Sequence, residues 1–90
     1  MFLEVKKSPT VVRRTTQFKN LGPGELFALS TKEDAFPLVR LATVLYDSDE
    51  DPVNAIDLVY MKPTFISDNE FIYPLVGSPL TWDFETVLKE

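Results

Sequence analysis

The sequence predicts a mainly β domain, either a small SH3-like barrel or an open β-sandwich, in which only the C-terminal segment could be a short helix. Three observations point there. Alanine occurs only four times, while β-branched and aromatic residues are abundant, a bias that favours pleated, half-buried surfaces. Seven prolines are spread from Pro9 to Pro79, and each one breaks a helix interior. Turn signals recur every eight to twelve residues or so, the spacing of a small barrel or sandwich. Ninety residues make one domain, 1–90.

The elements follow in order. Phe2 to Lys6 reads as a short first strand, interrupted by Pro9. Thr10 to Phe18 is a second, rich in β-branched residues, with Val12 and Phe18 of one parity and so able to face one core. Gly22-Pro23-Gly24 is a turn, and Glu25 to Leu29 a short strand after it. Ser30 to Asp34 is a polar hairpin loop. Phe36 to Tyr46 is the strongest strand. Val39, Leu41 and Leu45 fall on one face and Phe36, Leu38, Ala42, Val44 and Tyr46 on the other, so it is expected in the centre of the sheet. Arg40 is its only charge.

After the acidic loop Asp47 to Pro52, Val53 to Met61 returns as the partner strand. Asp57 marks its exposed face, and a cross-strand Arg40–Asp57 pair is expected. Lys62-Pro63 turns, Thr64 to Ile66 is brief, and Ser67 to Glu70 turns again. Phe71 to Val76 is a further strand in which Pro74 signals an edge or a bulge. The tail, 81–90, is either a helix or a final strand. As a helix it would be capped by Thr81, with Phe84, Val87 and Leu88 as its apolar stripe.

Composition limits the chemistry. There is no cysteine and no histidine. This removes disulfides, thiol nucleophiles, cysteine-based zinc sites and a Ser-His-Asp triad. No catalytic residue, metal site or cofactor is expected. No apolar run is long enough to span a bilayer, and the first residues lack the pattern of a secretion signal. A cytoplasmic location is therefore expected.

The net charge of −5 is unevenly placed. Residues 1–20 carry Lys6, Lys7, Arg13, Arg14 and Lys19 against Glu4 alone, a balance of +4. Residues 21–90 carry −9. The basic strand either lies across the acidic remainder or contacts a phosphate or an acidic partner. Nucleic-acid binding is the weaker option, because most of the eleven aromatic residues are flanked by acids and are better explained as core.

Asp47-x-Asp49-x-Asp51 opens like a calcium loop, then fails. The sixth position is Pro52 rather than glycine, and the twelfth is Leu58 rather than glutamate. It reads instead as a solvated hairpin tip. Gly22-Pro23-Gly24 lacks the lysine and hydroxyl residue of a phosphate loop. Asp47, Asp49, Glu50 and Asp51, with Tyr46, Tyr60 and Trp82, are the candidate protein-binding residues, since each aromatic has a polar tip to satisfy.

Three segments carry a resemblance: FKNLGPGELF at 18–27, NAIDL at 54–58 and IYPLVG at 72–77. Their order resembles short bacteriophage and prophage accessory proteins of uncertain function. The resemblance implies a small β-barrel and a phage origin, and it implies no activity. With the missing catalytic groups and the acidic charge, it leads to an expected role as a stoichiometric binder of a host protein, such as a defence or transcription factor. The alternatives are a structural or assembly module of a virion or homo-oligomer, and nucleic-acid binding through the basic strand.

Overall fold

The computed structural model describes residues 10–89. The expected strand at Phe2 to Lys6 lies outside them. The fold is all-β and antiparallel. Its strands are β1 Thr10–Arg13, β2 Thr16–Gln17, β3 Leu26–Ala28, β4 Leu38–Tyr46, β5 Pro52–Asp57, β6 Pro63–Thr64, β7 Phe71–Val76, β8 Asp83–Phe84 and β9 Thr86–Lys89. The main sheet runs β2-β7-β3-β4-β5-β6, and β8 pairs with β7 beyond the end of β2. β1 and β9 form a separate two-stranded ribbon.

The sheet is open, because β2 and β6 at its two ends do not pair with each other. The barrel expectation is thus corrected, and the all-β expectation holds. The molecule is elongated, 73 × 25 × 18 Å along its principal axes. Among the described residues no helix is long and apolar enough to cross a membrane.

The expected strand at Thr10 to Phe18 is split. Arg14 and Thr15 leave the ribbon and enter the sheet at β2, and Phe18 starts a 3₁₀ turn over Phe18–Asn20. Phe18 is buried, whereas Val12 sits in the ribbon and is only half-buried. Pro23 then occupies the second position of a turn closed by the Glu25 N–H on the Gly22 carbonyl at 3.2 Å. Gly24 follows at φ +80°. That is the conformation a type II turn demands at its third position, and glycine adopts it without strain. The turn returns the chain as β3, which lies between β4 and β7. Phe18, Leu21, Phe27, Leu38, Ala55, Ile66 and Ile72 converge there as the core, with Phe36 against its rim.

Pro74 is buried in the middle of β7 and flanked on both sides, not at a sheet edge. Its carbonyl accepts the Glu85 N–H at 3.0 Å. In an extended strand a residue's N and C=O face the same way. The missing N–H therefore points into the junction between β2 and β8, where no strand needs it.

β4 departs from expectation halfway along. Leu38 to Arg40 pair with Asp57 to Ala55, and Leu45 and Tyr46 pair with Val53 and Pro52. Between these stretches β4 has Leu41 to Val44 where β5 has only Asn54. The surplus is odd, so it turns Leu45 onto the face that carries Arg40 and Ala55, away from Val39. Leu38 is central and buried, but Ala42 to Tyr46 are all exposed. The outer half of β4 projects without cover from β3, whereas Val53 and Asn54 of β5 beside it are buried.

Asp57 is also corrected. It is buried, and its Oδ1 accepts the N–H groups of Val59 and Tyr60 at 2.8 and 3.1 Å. It caps the turn that ends β5 and does not face solvent. Arg40 stands opposite Ala55 and does not pair with Asp57. The tail resolves to the strand alternative: β8 continues past Glu85 into β9.

Candidate functional site

The tip of the β4–β5 hairpin gathers one group of candidates. Asp47 Oδ1 accepts the N–H groups of Asp49 and Asp51, each at 2.9 Å. The Asp47 N–H closes on the Asp51 carbonyl at 3.0 Å, and Glu50 turns the chain at φ +61°. The side chain of Asp47 thus folds the loop, and the carboxylates of Asp49, Glu50 and Asp51 are left in water. Asp47, Asp49 and Asp51 present oxygens within 4.8 Å of one another. A turn capped by its own aspartate produces such a cluster without an ion. Tyr46 is 69% exposed beside them. Behind Tyr46 a shallow apolar groove of about 190 Å³ is lined by Leu41, Leu45, Val53, Ile56 and Pro63, with Asp47 at its rim.

The other aromatic candidates are elsewhere. Tyr60 is exposed on the turn after β5, with its ring edge-on to Phe36 at 6.2 Å. Trp82 is half-buried and stacks edge-on with Phe84 at 5.5 Å, and Phe84 in turn meets Tyr73 at 6.3 Å. Trp82 belongs to a small aromatic cluster at the root of the ribbon, not to the hairpin.

The basic strand is largely engaged. The Arg13 guanidinium lies 4.3 Å from the Phe84 ring centre and donates to the Thr31 carbonyl at 3.0 Å. Arg14 donates to both carboxylate oxygens of Glu85 at 2.9 Å. Both hold the ribbon to the sheet. Lys19 is exposed in the 3₁₀ turn, and Lys6 and Lys7 lie outside the described residues. A wider cleft of about 400 Å³ opens where β3 begins and β7 ends, but its charged lining already includes the Arg14–Glu85 pair.

Sequence reasoning missed the groove residues Leu41, Leu45 and Pro63 as surface, because it read the first two as buried in a central strand. It also missed what Arg40 does. The Arg40 guanidinium donates to the carbonyls of Phe18, at 2.9 Å, and Leu21, and it lies 4.8 Å from the Phe18 ring centre. It ties the 3₁₀ turn to β4. Replacing Arg40 with methionine keeps the stem but removes the guanidinium donor from both carbonyls, leaving the Phe18 carbonyl with only the Leu21 N–H at 3.0 Å. The expected loss is about 1.5–3 kcal/mol, as for hydrogen bonds to a charged group. Urea midpoints of the wild type, Arg40→Met and Arg40→Lys would check it. A compact ammonium cannot reproduce the planar fork, so Arg40→Lys should recover only part of the loss.

No protein-family model matches the chain, and no significant match was found among curated protein sequences or solved structures.

Proposed function

We propose that this chain is an assembly module that works as part of a homo-oligomer, in the manner of a small structural or accessory phage protein. The distribution of its exposed apolar side chains carries this reading. Val11 and Leu88 face each other on the ribbon, and Leu88 is 71% exposed. Val44, Leu45 and Tyr46 are exposed on the hairpin, and Val59, Tyr60, Met61 and Phe65 on and after the turn that ends β5. A free monomer scatters such residues singly or concentrates them in one patch. Among the described residues most of them fall in three places, the β1–β9 ribbon, the outer half of β4 and the turn that ends β5, while Leu29, Phe71, Val76 and Leu80 lie apart. A two-stranded ribbon such as β1–β9 is marginal in water by itself, and a neighbouring chain that packs on it supplies the missing cover.

Sedimentation velocity over a range of micromolar concentrations tests the reading. The expected result is an average mass that rises with concentration above that of one 10.3 kDa chain. A single monomeric species throughout the range rules the reading out.

One observation favours a second reading. Four carboxylates and Tyr46 crowd one hairpin tip, a surface suited to a basic patch on a host protein in the host cytoplasm. That reading expects a monomer that retains a basic host protein at modest salt and releases it when Asp49 and Glu50 are changed to lysine.

A further inference from the structure

We infer that the outer half of β4 is a pairing edge, on which a second copy lays the same strand antiparallel across a two-fold axis at Leu45. The inference rests on the assembly reading and names its contact.

Hydrogen-bond alternation decides which main-chain groups are free. Leu45 stands opposite Val53, and Tyr46 opposite Pro52. The Asp47 N–H bonds to the Asp51 carbonyl at 3.0 Å, so Asp47 faces the β5 side. Successive residues of an extended strand point their N–H and C=O groups to alternate sides. Leu45 therefore faces β5 as well, while Val44 and Tyr46 face away. Pro52 agrees with this phase, because it has no N–H to offer Tyr46. On the far side β3 pairs with β4 at Leu38 and Val39, and Gly24 and Glu25 bond to Arg40. Among the described residues no strand lies along that side from Leu41 onward. The N–H and C=O groups of Val44 and Tyr46 thus form an open edge.

The other edges are guarded. β2, β6 and β8, outermost in the main sheet, have two residues each, and β6 begins with Pro63. Each ribbon strand carries a basic residue, Arg13 in β1 and Lys89 in β9. Short edges, prolines and charges are the usual means of preventing strand pairing. The stretch from Leu41 to Tyr46, LATVLY, has no charge, proline or glycine. That is the composition of a segment that pairs with copies of itself. The register shift on the β5 side ends at Leu45, where the regular ladder resumes.

A second copy of this strand meets the edge in phase. With Leu45 on the two-fold axis, Val44 of each copy stands opposite Tyr46 of the other, and each such pair exchanges both of its N–H···O bonds. Val44 with Tyr46 is a β-branched–aromatic pair, and Leu45 meets its own copy. Cross-strand pairs of this kind stabilise a sheet, and all three side chains are exposed in the single chain. Charge sets the direction. Each chain carries −5, and the acids Asp47, Asp49, Glu50 and Asp51 follow directly on the strand. Parallel pairing would hold the two tips side by side, about 5 Å apart. Antiparallel pairing sends them to opposite ends, with the two Asp47 residues about 13 Å apart, beyond the Debye length of about 8 Å at physiological salt. The contact is isologous and closes at two chains.

Sedimentation velocity and amide hydrogen exchange on the full-length chain test this. As concentration rises, wild type should shift towards the mass of two chains, and the Val44 and Tyr46 amides should become protected in step. Raised salt should leave association unchanged or strengthen it, because the contact joins like-charged chains without an ion pair. Leu45→Lys and Leu45→Glu each set like charges directly opposite one another, and each should weaken association about tenfold. Mixed one to one, the two variants should restore it. Leu45 is exposed, and circular dichroism verifies that each variant is folded. Association that leaves the Val44 and Tyr46 amides freely exchanging, that survives both substitutions or that weakens as salt rises overturns this contact and leaves the assembly reading standing. Loss in both variants without restoration on mixing also overturns it. A wild type that stays monomeric overturns the contact and the assembly reading together.

Discussion

Truncating Phe27 to alanine is expected to destabilise the protein by about 3–5 kcal/mol, the range for a buried phenylalanine whose cavity cannot fully collapse. Phe27 is 0% exposed. It sits in the short strand that pairs on one side with Leu38 and on the other with Pro74. Its ring meets Phe18 edge-on at 5.4 Å, an arrangement that contributes beyond area alone. The void would therefore open between three strands and the 3₁₀ turn, none of which can move without losing pairs. A domain of this size is stable by only about 5–15 kcal/mol in total, so most of the folded population at raised temperature is at stake. Urea denaturation of the wild type, Phe27→Leu and Phe27→Ala would measure it. The leucine variant should fall between the other two. An alanine variant within about 1 kcal/mol of wild type would contradict the burial.

The second large effect is expected at Asn54. Its Nδ2 donates to the Ile66 carbonyl and its Oδ1 accepts the Ile66 N–H, both at 2.8 Å and both buried. Ile66 lies outside any strand, yet its peptide groups sit in the core. The amide of Asn54 takes the place of a neighbouring strand for that one residue. Asn54→Ala leaves a buried donor and a buried acceptor unpaired at once, at about 1–3 kcal/mol for each group, and a total near 2–4 kcal/mol is expected where water partly relieves them. Asn54→Asp is the sharper probe. It can still accept the Ile66 N–H, but it sets a carboxylate oxygen against the Ile66 carbonyl. Chemical denaturation, with hydrogen exchange at the Ile66 amide, reads both variants. Unchanged exchange at Ile66 in Asn54→Ala would sink this account.

These two residues also mark what the sequence could disclose. Phe27 lies in a segment whose fold is locally encoded. A glycine-proline-glycine turn predicts a short strand after it, and β3 forms there, between β4 and β7. The central position of Leu38 was legible for the same reason. Asn54 was not, because nothing in a strand's alternation says that its amide will meet a peptide twelve residues later. Asp57 looked exposed because charged residues in strands usually are; its role as a cap depends on a turn whose shape is set by Lys62 and Met61.

The outer half of β4 was misjudged for a different reason. Alternating Val44 and Tyr46 against Leu41 and Leu45 indicates surfaces that want cover, and it does not say what supplies the cover. Barrel closure failed likewise, since β2 and β6 carry no local signal about whether they meet. Of the candidate site, Tyr46 and the acidic tip were legible because they are contiguous. Tyr60 and Trp82 were chosen for their polar tips, and the fold sends them to other places. Arg13 and Arg14 read either as lying across the acidic remainder or as contacting a partner, and the sequence did not name their contacts because Thr31, Phe84 and Glu85 are remote from them along the chain.

The ribbon has a mechanical consequence. Thr10 stands directly opposite Lys89, and the pairs proceed inward to Arg13 and Thr86. Tension applied across Thr10 and Lys89 therefore loads these pairs one at a time, as in opening a zip, rather than all together in shear. The ribbon should part at low force. Extension would then halt where the Arg14 N–H holds the Glu85 carbonyl at 2.7 Å and the two side chains form their ion pair. The main sheet would feel no load until that clasp gives way.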